Sequence, residues 1–325
     1  MRALLCSQLN DFAGLKVGDA PSPACGPGQV RIGVKAAGVN FPDMLMVEGK
    51  YQVRPPLPFI PGLEAAGVVL ECGAGVTTVK PGQKVFAFLR HAGGFASEVV
   101  VREEVAVPFP DEMDFATAAA FPIAYGTSHF ALEHRGRLKP GETLLVLGAT
   151  GGVGLTAVEC GKLMGARVIA AASSAEKLAI AKQYGADEVV DYTKENLRDR
   201  VRELTGGNGV DVVFDPVGGD AFDSAVRCIG WEGRILVVGF ASGRPASPPA
   251  NLILVKNFSV TGVVWGEHSF RYPREEAARF ARLLKHWQDG HLKPRVWKTF
   301  PLERANDAFE AMRNRQVVGK MVLTI

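Results

Sequence analysis

The chain changes its hydrophobic rhythm twice. Over residues 1 to about 120 the apolar runs are short, at 30–39, 65–71, 84–88 and 97–101. Gly and Pro punctuate them at Gly26-Pro27-Gly28, Pro55-Pro56, Pro61-Gly62, Pro81-Gly82 and Gly93-Gly94. Closely spaced strands with such turn signals predict a barrel-like or sandwich β domain. Residues 114–120 are Ala-rich behind an N-cap aspartate, Asp114, and predict a helix. From Thr143 a regular alternation begins. Strands are expected to start near 143, 167, 188, 211, 234 and 258, spaced 21 to 24 residues apart. Helices are expected between several of them, at 155–164 and 175–184, each followed by a glycine, Gly165 and Gly185, at the C-cap. Apolar strands alternating with helices predict a parallel sheet covered on both faces, of the doubly wound, dinucleotide-binding type.

After Trp265 the texture shifts again. Residues 274–288 form an amphipathic pattern with Ala278, Leu283, Leu284 and Trp287 as apolar positions, 302–313 form another, and the final VVGKMVLTI reads as a strand. A tail of about 60 residues is too short for a third domain. It is expected to return to the N-terminal β domain. The expected division is therefore 1–120 with 266–325 as one domain and 121–265 as the nucleotide-binding domain.

Composition removes several function classes. At 47% hydrophobic, the 325-residue chain carries enough apolar material for a full core, which excludes wholesale disorder. Lys and Arg number 37 against 34 Asp and Glu, a net charge of +3, with no basic run, so a strong electrostatic nucleic-acid binder is not expected. The five cysteines are scattered without a C-x-x-C, which argues against a disulfide scaffold or a cysteine zinc module. The N-terminus lacks a signal-peptide pattern, and no apolar run approaches the roughly 20 residues of a membrane span. The expectation is a soluble, cytoplasmic protein.

The most informative stretch is Leu144-Leu145-Val146-Leu147-Gly148-Ala149-Thr150-Gly151-Gly152-Val153-Gly154-Leu155. An apolar strand runs into a glycine cluster and then opens a helix. Glycines there let the backbone approach a diphosphate, and the helix N-terminus offers free N–H groups. The G-x-G-x-x-G fingerprint appears as Ala149-x-Gly151-x-x-Gly154, and Ala149, Thr150, Gly151, Gly152, Val153 and Gly154 are the expected cofactor-binding loop. An NAD site usually places an acid about 20 residues on. That window here reads Ala171-Ala172-Ser173-Ser174-Ala175. Ser173, Ser174, Lys177 and Tyr192, at the end of the third strand, supply hydroxyls and a cation instead. They suit a 2′-phosphate, so the expected cofactor is NADPH.

With these residues in view, the chain resembles the medium-chain dehydrogenase/reductase superfamily, in its zinc-free quinone oxidoreductase (zeta-crystallin-like) branch. The resemblance spans the whole chain. Its landmarks are Asn40-Phe41-Pro42-Asp43, Pro61-Gly62-Leu63-Glu64-Ala65-Ala66-Gly67-Val68-Val69, Pro122-Ile123-Ala124-Tyr125-Gly126-Thr127, the 149–154 loop, Asp215-Pro216-Val217-Gly218-Gly219 and Val238-Gly239-Phe240. It implies a GroES-like β-barrel domain completed by the C-terminal segment, an inserted Rossmann domain, and an active site in the cleft. Asn40 and Asp43 are implied as polar orienters in catalysis, Tyr51 as a carbonyl donor or stacking residue, and Thr127 as a neighbour of the nicotinamide. Val238, Gly239 and Phe240 are implied on the carboxamide side, and Asn251 opens a segment that can close on the cofactor. Lys320 reads as a solvated charge. Some relatives carry Tyr where Leu45 stands here.

No metal is expected. Asn40 and Leu63 occupy the places of the cysteine and histidine ligands of the zinc-dependent relatives, and the six histidines show no H-x-x-x-H spacing. The expected activity is direct hydride transfer from NADPH to a quinone, without zinc or flavin. The alternatives are reduction of an activated C=C (an enone, alkenal or enoyl thioester), zinc-free alcohol oxidation, and an NADPH-binding structural or nucleic-acid-associated protein with little turnover. The apolar late strand, 258–265, is expected to pair with a copy of itself in a homodimer.

Overall fold

A computed structural model describes residues 1–325. The chain opens with β1 (Arg2–Cys6), β2 (Leu15–Asp19), β3 (Gln29–Val39), α1 (Phe41–Val47), β4 (Glu64–Cys72), β5 (Lys84–Phe88), β6 (Glu98–Arg102), β7 (Ala106–Pro108), α2 (Phe115–Ala119) and α3 (Pro122–His129). Alternation follows with β8 (Thr143–Leu147), α4 (Gly152–Leu163), β9 (Arg167–Ala172), α5 (Ala175–Gln183), β10 (Glu188–Asp191), α6 (Leu197–Leu204), β11 (Val210–Asp215), α7 (Gly219–Cys228), β12 (Ile229–Val237), α8 (Ala250–Lys256) and β13 (Ser259–Gly262). The last stretch holds α9 (Trp265–Arg271), α10 (Pro273–Gln288), β14 (Val296–Pro301), α11 (Ala305–Arg313) and β15 (Lys320–Thr324).

Two compact units result. The first is Met1–Ile123 with Gly266–His286 and Pro294–Ile325; the second is Ala124–Trp265 with Trp287–Lys293. The segment 287–293 departs from the division read in the sequence. Its physical anchor is the Lys293 N–H, which donates to Glu159 Oε1 on α4 at 2.7 Å.

In the first unit the main sheet runs β14-β15-β3-β4-β5-β7, with β6 also paired to β3. Long β3 is the organiser, because it binds β6 along its first half and β15 along its second. The antiparallel β15 sets Met321 opposite Val39, which carries the chain's end to the start of α1. Aromatic residues fill the core, with the Phe86 and Phe280 rings 5.1 Å apart and edge-on.

The second unit is a six-stranded sheet in the order β10-β9-β8-β11-β12-β13, parallel throughout. Central strands are buried on both faces, which explains why β8 reads as a continuous apolar run. Leu145, Ile169, Val213, Phe222 and Ile235 belong to one core cluster. The strand order reverses between β8 and β11, which is where open α/β sheets bind ligands. Strand β12 begins at Ile229 rather than near 234. Val210 pairs with Ile229 before an irregularity, and Val212 then pairs with Arg234; Glu232, at φ 58°, sits in the interruption. No helix of the protein is long and apolar enough to cross a membrane.

Candidate functional site

The glycine loop sits where β8 ends. Gly148 takes φ +56°, and Gly151 is the N-cap of α4. A Cβ at Gly154 would lie 2.1 Å from the Gly148 carbonyl oxygen, so only glycine lets the first turn of α4 close against the loop. The N–H groups of Gly152, Val153 and Gly154 fall in that first turn, beyond the reach of intrahelical acceptors. A helix end of this kind is a ready anion site. Ala149 and Thr150, the first residues of the loop, are buried, and the Ala149 N–H donates to the Ala171 carbonyl at 3.0 Å.

Neighbouring strand ends share this edge of the sheet. Ser173 follows β9 and is exposed; Ser174 is the N-cap of α5, its hydroxyl accepting from the Lys177 N–H at 3.3 Å. Tyr192 follows β10, exposed, and its N–H donates to the Ala172 carbonyl. Ser173, Ser174 and Lys177 thus follow the end of β9, and Tyr192 follows the end of its neighbour β10, the strand ends next to that of β8. At the end of β11, Asp215 Oδ1 accepts from the Val217 and Gly218 N–H groups at 2.8 Å each, which shapes the turn. Val238 and Gly239 leave β12 with their N–H groups directed to the Asp215 carbonyl, and Phe240 projects partly into solvent. Asn251 lies exposed in α8, a helix without a buried residue.

Thr127 is half-buried on α3. Next to it, the Ser128 hydroxyl donates to the Val153 carbonyl at 2.7 Å, which ties this helix to the first turn of α4. Gly126 admits the Trp265 ring, which would meet a Cβ there at 2.5 Å. Glu159, on the same α4, accepts the Tyr125 hydroxyl at 2.6 Å. Burial pushes the Glu159 carboxyl up to about 7, against the opposing pull of those donors.

The first unit holds a buried polar cluster that sequence reading found only in part. Asn40 caps α1, and its N–H donates to Asp43 Oδ2 at 2.8 Å. The Asn40 amide is committed on both sides: its Oδ1 accepts from Lys320, and its Nδ2 donates to Glu64 Oε1 at 2.9 Å. Lys320 Nζ also reaches Glu64 Oε1 at 2.7 Å and the Val39 carbonyl at 3.1 Å. Glu64 Oε2 accepts from the Ile123 N–H at 2.8 Å. Lys320 is thus not the solvated charge expected. Its ammonium is buried in an ion pair, because β15 delivers it beside the start of α1 and β4. Glu64 carries no role in the sequence reading beyond its landmark run, although a carboxylate inside Leu63-Glu64-Ala65-Ala66-Gly67-Val68-Val69 signals that it needs a partner.

Asp43 is fully buried, and its Oδ1 has no hydrogen-bond partner. Burial pushes its carboxyl up to about 7; the Asn40 N–H and the Lys320 charge oppose this, and the Glu64 charge adds to it. Burial, and then the Asp43 charge, also raises the half-buried Tyr51 phenol.

These shifts have a signed consequence. Asp43 and Glu159 bind protons more tightly in the folded state, so their contribution to stability is full below the ordinary carboxyl range and is lost as pH rises to about 7. Carboxylates held low, such as Asp187, lose their contribution only as pH falls through the acid range. The urea midpoint of the wild type is therefore expected to fall from about pH 5 to about pH 8 relative to that of Asp43→Asn. Parallel pH profiles for the two proteins would contradict the assignment.

The comparisons with known proteins agree with this geometry. Residues 26–111 match the alcohol dehydrogenase GroES-like domain, and residues 152–284 match the zinc-binding dehydrogenase family. The rat protein named quinone oxidoreductase-like protein 2 is 41% identical over 100% of this chain and 92% of its own length. A mycobacterial structure complexed with NADPH superposes with a TM-score of 0.93 at 31% identity, covering 100% of both chains. The Escherichia coli quinone oxidoreductase complexed with NADPH gives a TM-score of 0.94 at 28% identity, again over 100% of both. The zinc in the second family's description does not fit at Asn40 and Leu63, the places of two of its ligands. A catalytic zinc needs about three protein ligands. Leu63 has no donor atom, and the Asn40 amide oxygen already accepts from the Lys320 ammonium.

Proposed function

Because the chain belongs to the medium-chain dehydrogenase/reductase superfamily, in its quinone oxidoreductase branch, we propose that it is an NADPH-dependent reductase of quinones that works by direct hydride transfer, without zinc or flavin. The observation that carries this reading is the Gly154 cradle opening α4, set beside a β9 end that offers Ser173, Ser174 and Lys177 in place of a carboxylate. When bound, NADPH supplies the hydride that the acceptor receives.

The chain's own residues bind, orient and shield. The N–H groups of Gly152, Val153 and Gly154 hold the diphosphate. Ser173, Ser174, Lys177 and Tyr192 hold the 2′-phosphate. The 238–240 turn holds the carboxamide end, and Thr127 flanks the nicotinamide. Asn40 serves mainly as a positioning residue, since both ends of its amide are taken. Tyr51 remains to face the acceptor, as a donor to the oxygen that gains charge, while the buried Asp43 stands behind Asn40 as a carboxyl that holds a proton up to about pH 7.

The test is turnover with an ortho-quinone and then a small enone, with NADPH and NADH compared. The reading expects quinone reduction with NADPH well ahead of NADH. Enone turnover alone would move the activity to C=C reduction, and NADPH binding without turnover would favour a binding protein.

We further propose a homodimer built by edge pairing of β13. That strand is bonded only to β12, and the adjoining Val264 is 69% exposed. Analytical ultracentrifugation at micromolar concentration is expected to give twice the chain mass. A monomer would contradict it.

A further inference from the structure

The opposite edge of the Rossmann sheet carries a pocket. Strand β8 ends at the glycine loop, so the coenzyme edge is the one where strands finish. The starts of β11 and β12 and the last turns of α6, α7 and α8 define the other edge. There an open pocket of about 180 Å³ is lined by Arg202, Asn208, Arg227, Trp231, Val255 and Lys256, among others.

Its chemistry is one-sided. Helix C-termini attract cations, and Arg202, Arg227 and Lys256 stand in the last turns of α6, α7 and α8. Lys256 is used in that way: its ammonium donates to the Val226, Arg227 and Ile229 carbonyls at 3.2, 3.0 and 3.1 Å. The guanidinium groups of Arg202 and Arg227 are not. Neither donates a hydrogen bond nor meets a carboxylate, in a protein whose arginines are mostly paired, such as Arg31, Arg200, Arg234 and Arg244. Arg198, nearby, is taken by Asp199 at 3.7 Å, and Glu232 accepts from Asn257. Lys256 is held below its usual range, first by burial and then by the charges of Arg202, Arg198 and Arg227. Arg202, Arg227 and Lys256 crowd one another without a carboxylate among them.

The pocket also has an apolar wall. Trp231 is 69% exposed and Val255 64%, large surfaces to leave in water. Between wall and cations, the Asn208 side chain makes no hydrogen bond, so its amide is free to read a polar edge. It sits on a turn flanked by Gly207 and Gly209, at φ +88° and +81°.

We infer that this pocket binds a small organic phosphate bearing a flat ring, with Arg202 and Arg227 holding the phosphate and Trp231 stacking on the ring. Two guanidinium forks suit phosphate oxygens, and an indole face suits a planar heterocycle. The site is separate from the coenzyme loop and does not depend on the reading of the reaction.

Isothermal calorimetry tests it on the full-length protein carrying one equivalent of NADPH, with AMP and inorganic pyrophosphate as probes. Saturable AMP binding is expected, weakened about tenfold or more in Arg202→Gln/Arg227→Gln. Trp231→Ala is expected to weaken AMP by about tenfold and to leave pyrophosphate nearly unchanged. All three side chains are exposed and hydrogen-bond nothing, so the variants keep the fold, which their melting curves verify. No saturable AMP binding at millimolar concentration would overturn the inference. So would AMP binding that survives the double arginine substitution undiminished.

Discussion

Lys320→Met is expected to destabilise the protein by about 3–5 kcal/mol, the range for breaking one side of a buried ion pair. The substitution removes the ammonium that Glu64, the Val39 carbonyl and the Asn40 amide share. Glu64 would keep only the Asn40 amide and the Ile123 N–H as donors, and it is fully buried. A loss of this size is a large fraction of the typical 5–15 kcal/mol of folding stability. The paired substitution Lys320→Met/Glu64→Gln is expected to recover part of it, since no lone charge remains. Urea unfolding of the two variants and the wild type measures both effects. A loss under about 1 kcal/mol would place the pair with surface salt bridges and contradict its role.

Gly154→Val is expected to abolish detectable NADPH binding. The clash arises against backbone, with the Gly148 oxygen 2.1 Å and the Ala149 Cα 3.0 Å from the added Cβ, so no side-chain rotation relieves it. The first turn of α4 must move away from the loop, and the three N–H groups lose their common aim. Gly151→Ala is the matching control. A Cβ there meets only the Gly148 oxygen at 3.5 Å, and the backbone is extended at φ −71°. It is expected to retain the fold and bind NADPH with a far smaller loss. Calorimetric titration separates the two. Unimpaired binding by Gly154→Val would mean that the loop is not the diphosphate site.

The nucleotide-binding half was readable because its strands are buried on both faces and repeat. Residues 143–147 and 167–172 are apolar runs with no competing period, and Gly165 and Gly185 mark helix ends. The cradle was equally legible, since its chemistry is local: six residues in a row carry it. Short or exposed elements were not. Strand β1 is only five residues long, and α8 buries nothing, so no amphipathic stripe announces it. Helix α1 spans seven residues, yet Asn40-Phe41-Pro42-Asp43 carries a capping signal, an N-cap with an acid three residues on and a proline in the first turn. Lys320 was illegible for another reason. Its partner Glu64 is 256 residues away in the chain, and only the pairing of β15 with β3, and of β3 with β4, brings the two together. Polar clusters assembled from distant strands leave no periodic trace; a charged residue inside an apolar run is the trace they do leave.

The proposal of metal-free hydride transfer to a quinone is tested most directly by NADPH consumption under an ortho-quinone after exhaustive chelation and dialysis. The account predicts turnover that chelation leaves unchanged, that added zinc does not raise, and that NADH supports poorly. Turnover lost on chelation and restored by zinc would contradict it, because neither Asn40 nor Leu63 would then have the role assigned here.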